Sequence, residues 1–337
     1  MEALAGDDKE RICIVGGLAH PELAVSIAKE LGTDLEEVNA KLHPNGEIYS
    51  RYENSIRGKH VIIIQSHVKN NEITVNDALM QQLLLVDAAR SSSAREITAV
   101  TPYMAYTRQD HKDKGREPIG ARVVIDQLAT SGADRIVAVD MHASQTQGLF
   151  RGPFDHLTAQ PVLREAVWEE VIEHAGYDKS DCMVIAPDAG AAKMAKRHSK
   201  RLGTALMFMD KTRDIDNNQK ITREAKAPEA DGRVCLIFDD MIDTAGTLVT
   251  AAEVLKNSGA KAVYAAATHG FFSDPAFDRI NGSPLDKVFI TDTFPMATAE
   301  TELGDRLQVV SIAPKIGEAL IQILTNGSVS QVFDREN

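Results

Sequence analysis

The stretch Val234–Thr247, VCLIFDDMIDTAGT, sets five uninterrupted apolar residues against two aspartates, a third aspartate and a loop of small and hydroxyl residues. A strand covered on both faces reads as a continuous apolar run rather than an alternating one. The stretch therefore predicts a parallel strand with Asp239 and Asp240 at its carboxyl end, where open α/β sheets bind their ligands. Asp243, Thr244, Ala245, Gly246 and Thr247 follow just ahead of a helical pattern. In such a turn, backbone N–H groups and the two hydroxyls converge on a helix N-terminus and form an anion cradle. A phosphate monoester fits the cradle. Two carboxylates upstream suit a cis-diol, accepting from both hydroxyls, or a magnesium ion held through waters. Sugar plus phosphate reads as ribose 5-phosphate or a derivative. The bland alternative makes Asp243 or Thr244 a helix cap and leaves the aspartate pair solvated; it does not account for the whole string.

Outward from this stretch, short β-branched runs alternate with helical patterns almost from end to end. The runs are RICIVGG, HVIIIQS, EITAVTPY, RIVAVDMH, CMVIAPD, TALMFMD, RVCLIFDD, AVYAAATH, KVFITDT and QVVSIA. Between them lie PELAVSIAKELG, TVNDALMQQLLLVDAARS, GARVVIDQLATSG, AGAAKMAKRHSKRLG and TAGTLVTAAEVLKNSG, with apolar residues at spacings of three and four. That alternation predicts an α/β protein with parallel sheets flanked by helices. An apolar strand ending in acidic residues and a small-residue loop occurs in both halves, as does a helix ending in Ser-Gly-Ala, at Ser131–Ala133 and Ser258–Ala260. A duplicated domain follows as an expectation, with residues 10–155 as one half and 156–333 as the other. The seam falls in RGPFDHLTAQPVL, where Pro153 and Pro161 flank a polar stretch.

At 337 residues the chain is long enough for two domains. Its net charge of −12 argues against nucleic acid or an acidic membrane as a partner, but not against a phosphorylated substrate gripped by local basic clusters. Cys13, Cys182 and Cys235 sit in or beside apolar runs without paired spacing, as small buried hydrophobes in a reducing compartment do. No membrane span and no leader pattern is evident, so the expected location is cytoplasmic.

The opening stretch resembles the phosphoribosyl-diphosphate loop of the type I phosphoribosyltransferase superfamily. YTRQDHKDKGREPIGARVV, DMHASQTQGLF, APDAGAAKMAKR, MDKTRD and ATHGFFS narrow the resemblance, in order and spacing, to the ribose-phosphate diphosphokinase family. The similarity runs from about Arg11 to about Phe333. It implies two tandem phosphoribosyltransferase-like domains and a single displacement: the anomeric hydroxyl of ribose 5-phosphate attacks the β-phosphorus of ATP, and AMP leaves. The cofactor implied is Mg2+, and the assembly implied is a homo-oligomer, a hexamer built from dimers.

Residue by residue, the resemblance gives ATP contacts to Arg108, Gln109 and Asp113, and to Asn45 and Glu47 in LHPNGEIYS. His43 stands where the family commonly has an aromatic residue packed against adenine. Without that context, Thr107–Glu117 reads as a solvated loop of mixed charge. Asp140 and His142 end a strand on one side, because strand side chains alternate with period two, and the resemblance puts His142 at the metal–nucleotide site. Asp188 matches an aspartate near the ribose phosphate and the metal; its alternative is a helix N-cap. Lys211 and Arg213 match the family's catalytic pair, which would neutralise charge building on the transferring group. Thr212, Asp214 and Asp216 depart from the family's pattern around them. Ser144, Gln147, Ser328 and Ser330 resemble positions of a regulatory site for phosphate or ADP. Two rivals stand beside this reading: a phosphoribosyltransferase that consumes the diphosphate, and a non-catalytic regulatory homologue.

Overall fold

The structure is a computed structural model that describes residues 9–209 and 227–333. The chain divides into two compact units. Of the described residues, one unit holds those up to Ala159 together with Thr293–Pro295 and those from Ile312 to Phe333; the other holds those between Gln160 and Asp292 and between Met296 and Ser311.

The first unit contains β1 (Ile12–Gly16), α1 (Pro21–Glu30), β2 (Val38–Leu42), β3 (Ile48–Tyr52), β4 (His60–Ile64), α2 (Val75–Ser91), β5 (Glu96–Thr101), α3 (Gly120–Ser131), β6 (Arg135–Val139) and β7 (Phe154–Leu157). Its sheet has the order β1-β4-β5-β6-β7, every pair parallel. All five residues of β4 are buried, as a central strand with helices on both faces requires. Burying each such valine or isoleucine is worth roughly 1.5–3 kcal/mol relative to leaving it exposed. Helix α2 starts on a reciprocal capping box: the Asp77 N–H donates to Thr74 Oγ1, and the Thr74 N–H donates back to the Asp77 carboxylate. Helix α3 ends on Gly132 at φ +113°, a left-handed turn that costs glycine nothing. β2 and β3 form a separate antiparallel hairpin, with side chains alternating between half-buried and exposed along much of each strand.

The second unit contains α4 (Gln160–Trp168), β8 (Cys182–Ala186), α5 (Ala192–Leu202), β9 (Ala205–Phe208), β10 (Val234–Ile242), α6 (Gly246–Asn257), β11 (Ala262–Gly270), α7 (Ala276–Asn281), β12 (Lys287–Thr291), α8 (Ala297–Leu303) and β13 (Leu307–Val310). Its six strands are parallel in the order β13-β12-β11-β10-β8-β9. Strand order runs outward from β8 to β9 and then reverses, so that β10 lies on the other side of β8. The reversal point is the crevice where an open parallel sheet binds ligands.

The last elements among the described residues are α9 (Ala313–Leu324) and α10 (Ser330–Phe333). α9 packs against α1, so by packing it belongs with the first unit and not with the residues that precede it. Gly317 permits the approach, since a Cβ there would lie 2.4 Å from the Glu30 Cβ. Cys13, Cys182 and Cys235 are free and buried, and burial pushes their thiols up to about 12, 11 and 12. They are unreactive packing residues. No helix among the described residues is long and apolar enough to cross a membrane.

Candidate active site

β10 carries the opening motif to the reversal point. Val234–Phe238 are buried and pair with β8 only as far as Ile237 opposite Ile185. Beyond that register the two strands part, and Asp239 and Asp188 emerge from neighbouring strands at the same sheet end. Both line one cavity of about 200 Å³ together with Asp243, Thr244, Gly246 and Thr247. Asp188 also accepts a hydrogen bond from the Ala191 N–H at 3.0 Å, so it steadies the turn into α5 while facing the cavity. Asp240 is half-buried beside Asp239, and its N–H donates to Asp239 Oδ1 at 2.8 Å. Burial, then the charge of Asp240 and, more weakly, that of Asp188 hold the Asp239 carboxyl well above the usual carboxylate range. Carboxyl groups whose charges act on one another favour a cation or a hydroxyl donor beside them.

The cradle is built by the backbone. Ala245, not the glycine, adopts the left-handed conformation, at φ +58°. α6 starts at Gly246, and its hydrogen-bond ladder begins with the Val249 N–H donating to the Ala245 carbonyl. The N–H groups of Gly246, Thr247 and Leu248 fall before that ladder and mark the positive end of the helix at the cavity. From α7, Arg279 Nη1 donates to the Thr244 carbonyl at 2.8 Å and braces the turn from outside. Pattern reading of the sequence does not reach Arg279, which lies 35 residues from its partner.

In the first unit the residues expected to contact nucleotide occupy two segments. His43, Asn45 and Glu47 form the turn of the β2–β3 hairpin: the His43 N–H donates to the Glu47 carbonyl at 2.8 Å, and Asn45 Nδ2 donates to Glu47 Oε2 at 2.9 Å. The His43 ring stands edge-on to Tyr49 with centroids 6.2 Å apart. The second segment is the loop after β5. Arg108 and Gln109 are exposed there, and His111 bridges Asp110 at 2.7 Å and Asp113 at 3.0 Å. The hydrogen bond to Asp110 is the main cause that holds the His111 imidazole above its ordinary value. Burial opposes ionisation of Asp110, but its bond to His111 and the nearby His142 bring its carboxyl below the usual range.

Asp140 follows β6 at φ +35°, a region that Asp tolerates better than most non-glycine residues. Its carboxylate accepts from the Ala159 N–H at 2.8 Å, and His142 is exposed. Ser144 and Gln147 are exposed on one short helical turn, while Ser328 and Ser330 lie with their hydroxyls 2.9 Å apart near the C-terminus. No group of three or more His, Cys, Asp or Glu side chains among the described residues is already gathered to hold a metal. Lys211 and Arg213 lie outside the described residues.

Two family models match the chain: the N-terminal domain of ribose phosphate pyrophosphokinase over residues 12–132, and the phosphoribosyl synthetase-associated domain over residues 226–334. The chain is 42% identical over 330 residues to the ribose-phosphate pyrophosphokinase of Corynebacterium glutamicum, covering 98% of each. It is 42% identical over 336 residues to that of Streptomyces coelicolor, covering 100% of each. Among solved structures, the phosphoribosylpyrophosphate synthetase of Mycobacterium smegmatis superposes with a TM-score of 0.84 at 39% identity, covering 94% of this chain and 100% of that one.

Proposed function

We propose, for a chain that belongs to the ribose-phosphate pyrophosphokinase family, how its own residues carry out that family's reaction. The chain transfers the diphosphoryl group of ATP to the anomeric hydroxyl of ribose 5-phosphate, giving 5-phosphoribosyl 1-diphosphate and AMP for nucleotide biosynthesis. In our reading the 5-phosphate sits on Asp243–Thr247, with its charge toward the start of α6, and the sugar hydroxyls reach Asp239 and Asp240. The observation that carries this reading is a cavity lined both by the Asp188 and Asp239 carboxyls and by the residues that start α6. It has an acceptor end for a diol and a donor end for a phosphate.

ATP is assigned to His43, Asn45, Glu47, Arg108, Gln109 and Asp113, whose guanidinium, amide and carboxylate groups offer both donors and acceptors to a nucleoside triphosphate. Asp188 and Asp239, which line one cavity, offer the carboxylate oxygens that Mg2+, a hard cation, takes as ligands. We assign the ion to Asp188, with Asp140 and His142 at the nucleotide; when bound it neutralises charge on the diphosphoryl group. Lys211 and Arg213 are assigned the same task on the transferring group. Diphosphoryl transfer needs positioning and charge neutralisation more than covalent help, so no enzyme-bound intermediate is invoked. Phosphate and ADP are proposed effectors at Ser144, Gln147, Ser328 and Ser330, and a hexamer of dimers is the proposed assembly. The halves 10–155 and 156–333 are proposed to contribute the nucleotide residues and the ribose residues respectively.

The testing experiment uses ATP labelled at the β-phosphorus. Label recovered in the sugar product supports transfer of the diphosphoryl group; label remaining in a nucleotide product contradicts it.

A further inference from the structure

Beneath Asp239 lies a buried polar chain that the assignments above do not use. Gln160, the first residue of α4, is 5% exposed, and His198 of α5 is 0% exposed. Gln160 Nε2 donates to the main-chain carbonyl of Asp239 at 3.2 Å and to Thr268 Oγ1 of β11 at 3.1 Å. Gln160 Oε1 lies 2.9 Å from His198 Nε2. The imidazole of His198 stacks on Phe238, the residue before Asp239, with centroids 3.8 Å apart and planes 4° from parallel.

Protonation and orientation within this chain are determined by chemistry. Burial, with Arg164 and Arg197 nearby, pushes His198 down to about 3, so the ring is neutral and has one N–H. If that N–H is on Nε2 it donates to Gln160 Oε1, and the amide NH2 is left facing the Asp239 carbonyl. The opposite amide orientation would set two oxygens against each other. One peptide group then links the chain to the site. Its carbonyl, that of Asp239, is held by Gln160; its N–H, that of Asp240, donates to Asp239 Oδ1 at 2.8 Å. Because the peptide is planar, holding its oxygen fixes the direction of its N–H and hence the orientation of the Asp239 carboxylate.

We infer that Gln160 and His198 are positioning residues for the ribose 5-phosphate site: His198 orients the Gln160 amide, and Gln160 fixes the Asp239–Asp240 peptide that aims the carboxylate at the sugar hydroxyls. The inference rests on the assignment of Asp239 to the sugar. It makes substrate affinity depend on two buried side chains that never touch substrate.

The test compares steady-state constants and melting temperatures of the full-length enzyme with those of Gln160→Leu, His198→Leu, His198→Gln and Asp239→Asn. Loss of one hydrogen bond that orients the site should raise the KM for ribose 5-phosphate about fivefold or more in Gln160→Leu. The KM for ATP should stay within about twofold, well under the effect of a lost hydrogen bond. His198→Leu should move the same constant in the same direction. His198→Gln should restore it, because an amide N–H on that side chain reaches the place of the imidazole Nε2–H. Should Gln160→Leu fail to fold, the two His198 variants decide the matter alone. An unchanged KM for ribose 5-phosphate beside a lowered melting temperature, or equal rises in both KM values, overturns the inference. Asp239→Asn separates the two levels. If it raises the KM for ribose 5-phosphate while Gln160→Leu does not, only the positioning role falls; if it does not, the sugar assignment falls with it.

Discussion

Asp188 and Asp239 leave neighbouring parallel strands at the same sheet end and face one cavity. Burial and Asp240, with a smaller contribution from Asp188, keep the Asp239 carboxyl above the ordinary range. That carboxyl is therefore destabilising to the empty protein, in the same feature that carries the proposed assignment of the sugar hydroxyls to it.

That relationship sets a pH dependence. A carboxyl with a raised folded value binds more protons folded than unfolded, from about 4, its unfolded value, up to the raised value. Its contribution to stability is present at low pH, is lost as pH rises through that window, and stays lost above it. Asp239→Asn removes the penalty. In metal-free buffer at pH 7 the variant should melt higher by about 2–4 °C, what roughly 1 kcal/mol produces in a domain of this size after solvent screening. The difference should vanish toward pH 4. A variant that melts lower at pH 7, or a difference independent of pH, contradicts the account.

The left-handed residue of the cradle gives a second prediction. The φ of +58° costs any residue with a Cβ, Ala245 included, and branching at Cβ adds to that cost. Ala245→Val should lower stability and raise the KM for ribose 5-phosphate more than that for ATP. Ala245→Gly should be close to neutral, since relief of strain is offset by added freedom in the unfolded chain. At Gly246 a Cβ would meet Arg279 at an ordinary 3.4 Å, so Gly246→Ala should fold normally. Thermal melts and substrate titrations check all three; a stable, fully active Ala245→Val contradicts the strained cradle.

Much of this was legible because it is local. The ten apolar runs read from the sequence are all strands, since continuous burial writes itself into consecutive residues. The Asp239–Thr247 motif likewise keeps carboxylates, cradle and helix start within nine positions. The β2–β3 hairpin was not read, because its half-exposed strands lack an apolar run; Asn45-Gly46 between alternating residues was the available signal. β7, the short FDHL, was hidden by its polarity. That α9 returns to α1, that Arg279 braces Thr244, and that His198 reaches Gln160 depend on pairings across long sequence separations, and no periodicity encodes them.

The loop proposed to hold nucleotide supports a third prediction. Arg108 is exposed after β5, in the loop of mixed charge assigned above to ATP. Arg108→Ala should weaken ATP binding by about 1.5–3 kcal/mol, the range for a hydrogen bond to a charged group. Ribose 5-phosphate binding should be left close to that of the parent. Calorimetric titration with each ligand separates the two, and equal losses for both would contradict a nucleotide-specific role.

A fourth concerns Lys211 and Arg213. If they act on the transferring group, replacing either by Ala should lower kcat on the order of 10²-fold or more with little change in either KM. Unchanged turnover removes them from the mechanism.

The central claim is the site of bond cleavage in ATP. Purified protein incubated with magnesium-ATP and ribose 5-phosphate should release AMP and 5-phosphoribosyl 1-diphosphate in equal amounts, quantified together by anion-exchange chromatography. ADP in place of AMP, or no nucleotide turnover alongside diphosphate release from phosphoribosyl diphosphate and a nucleobase, would contradict it.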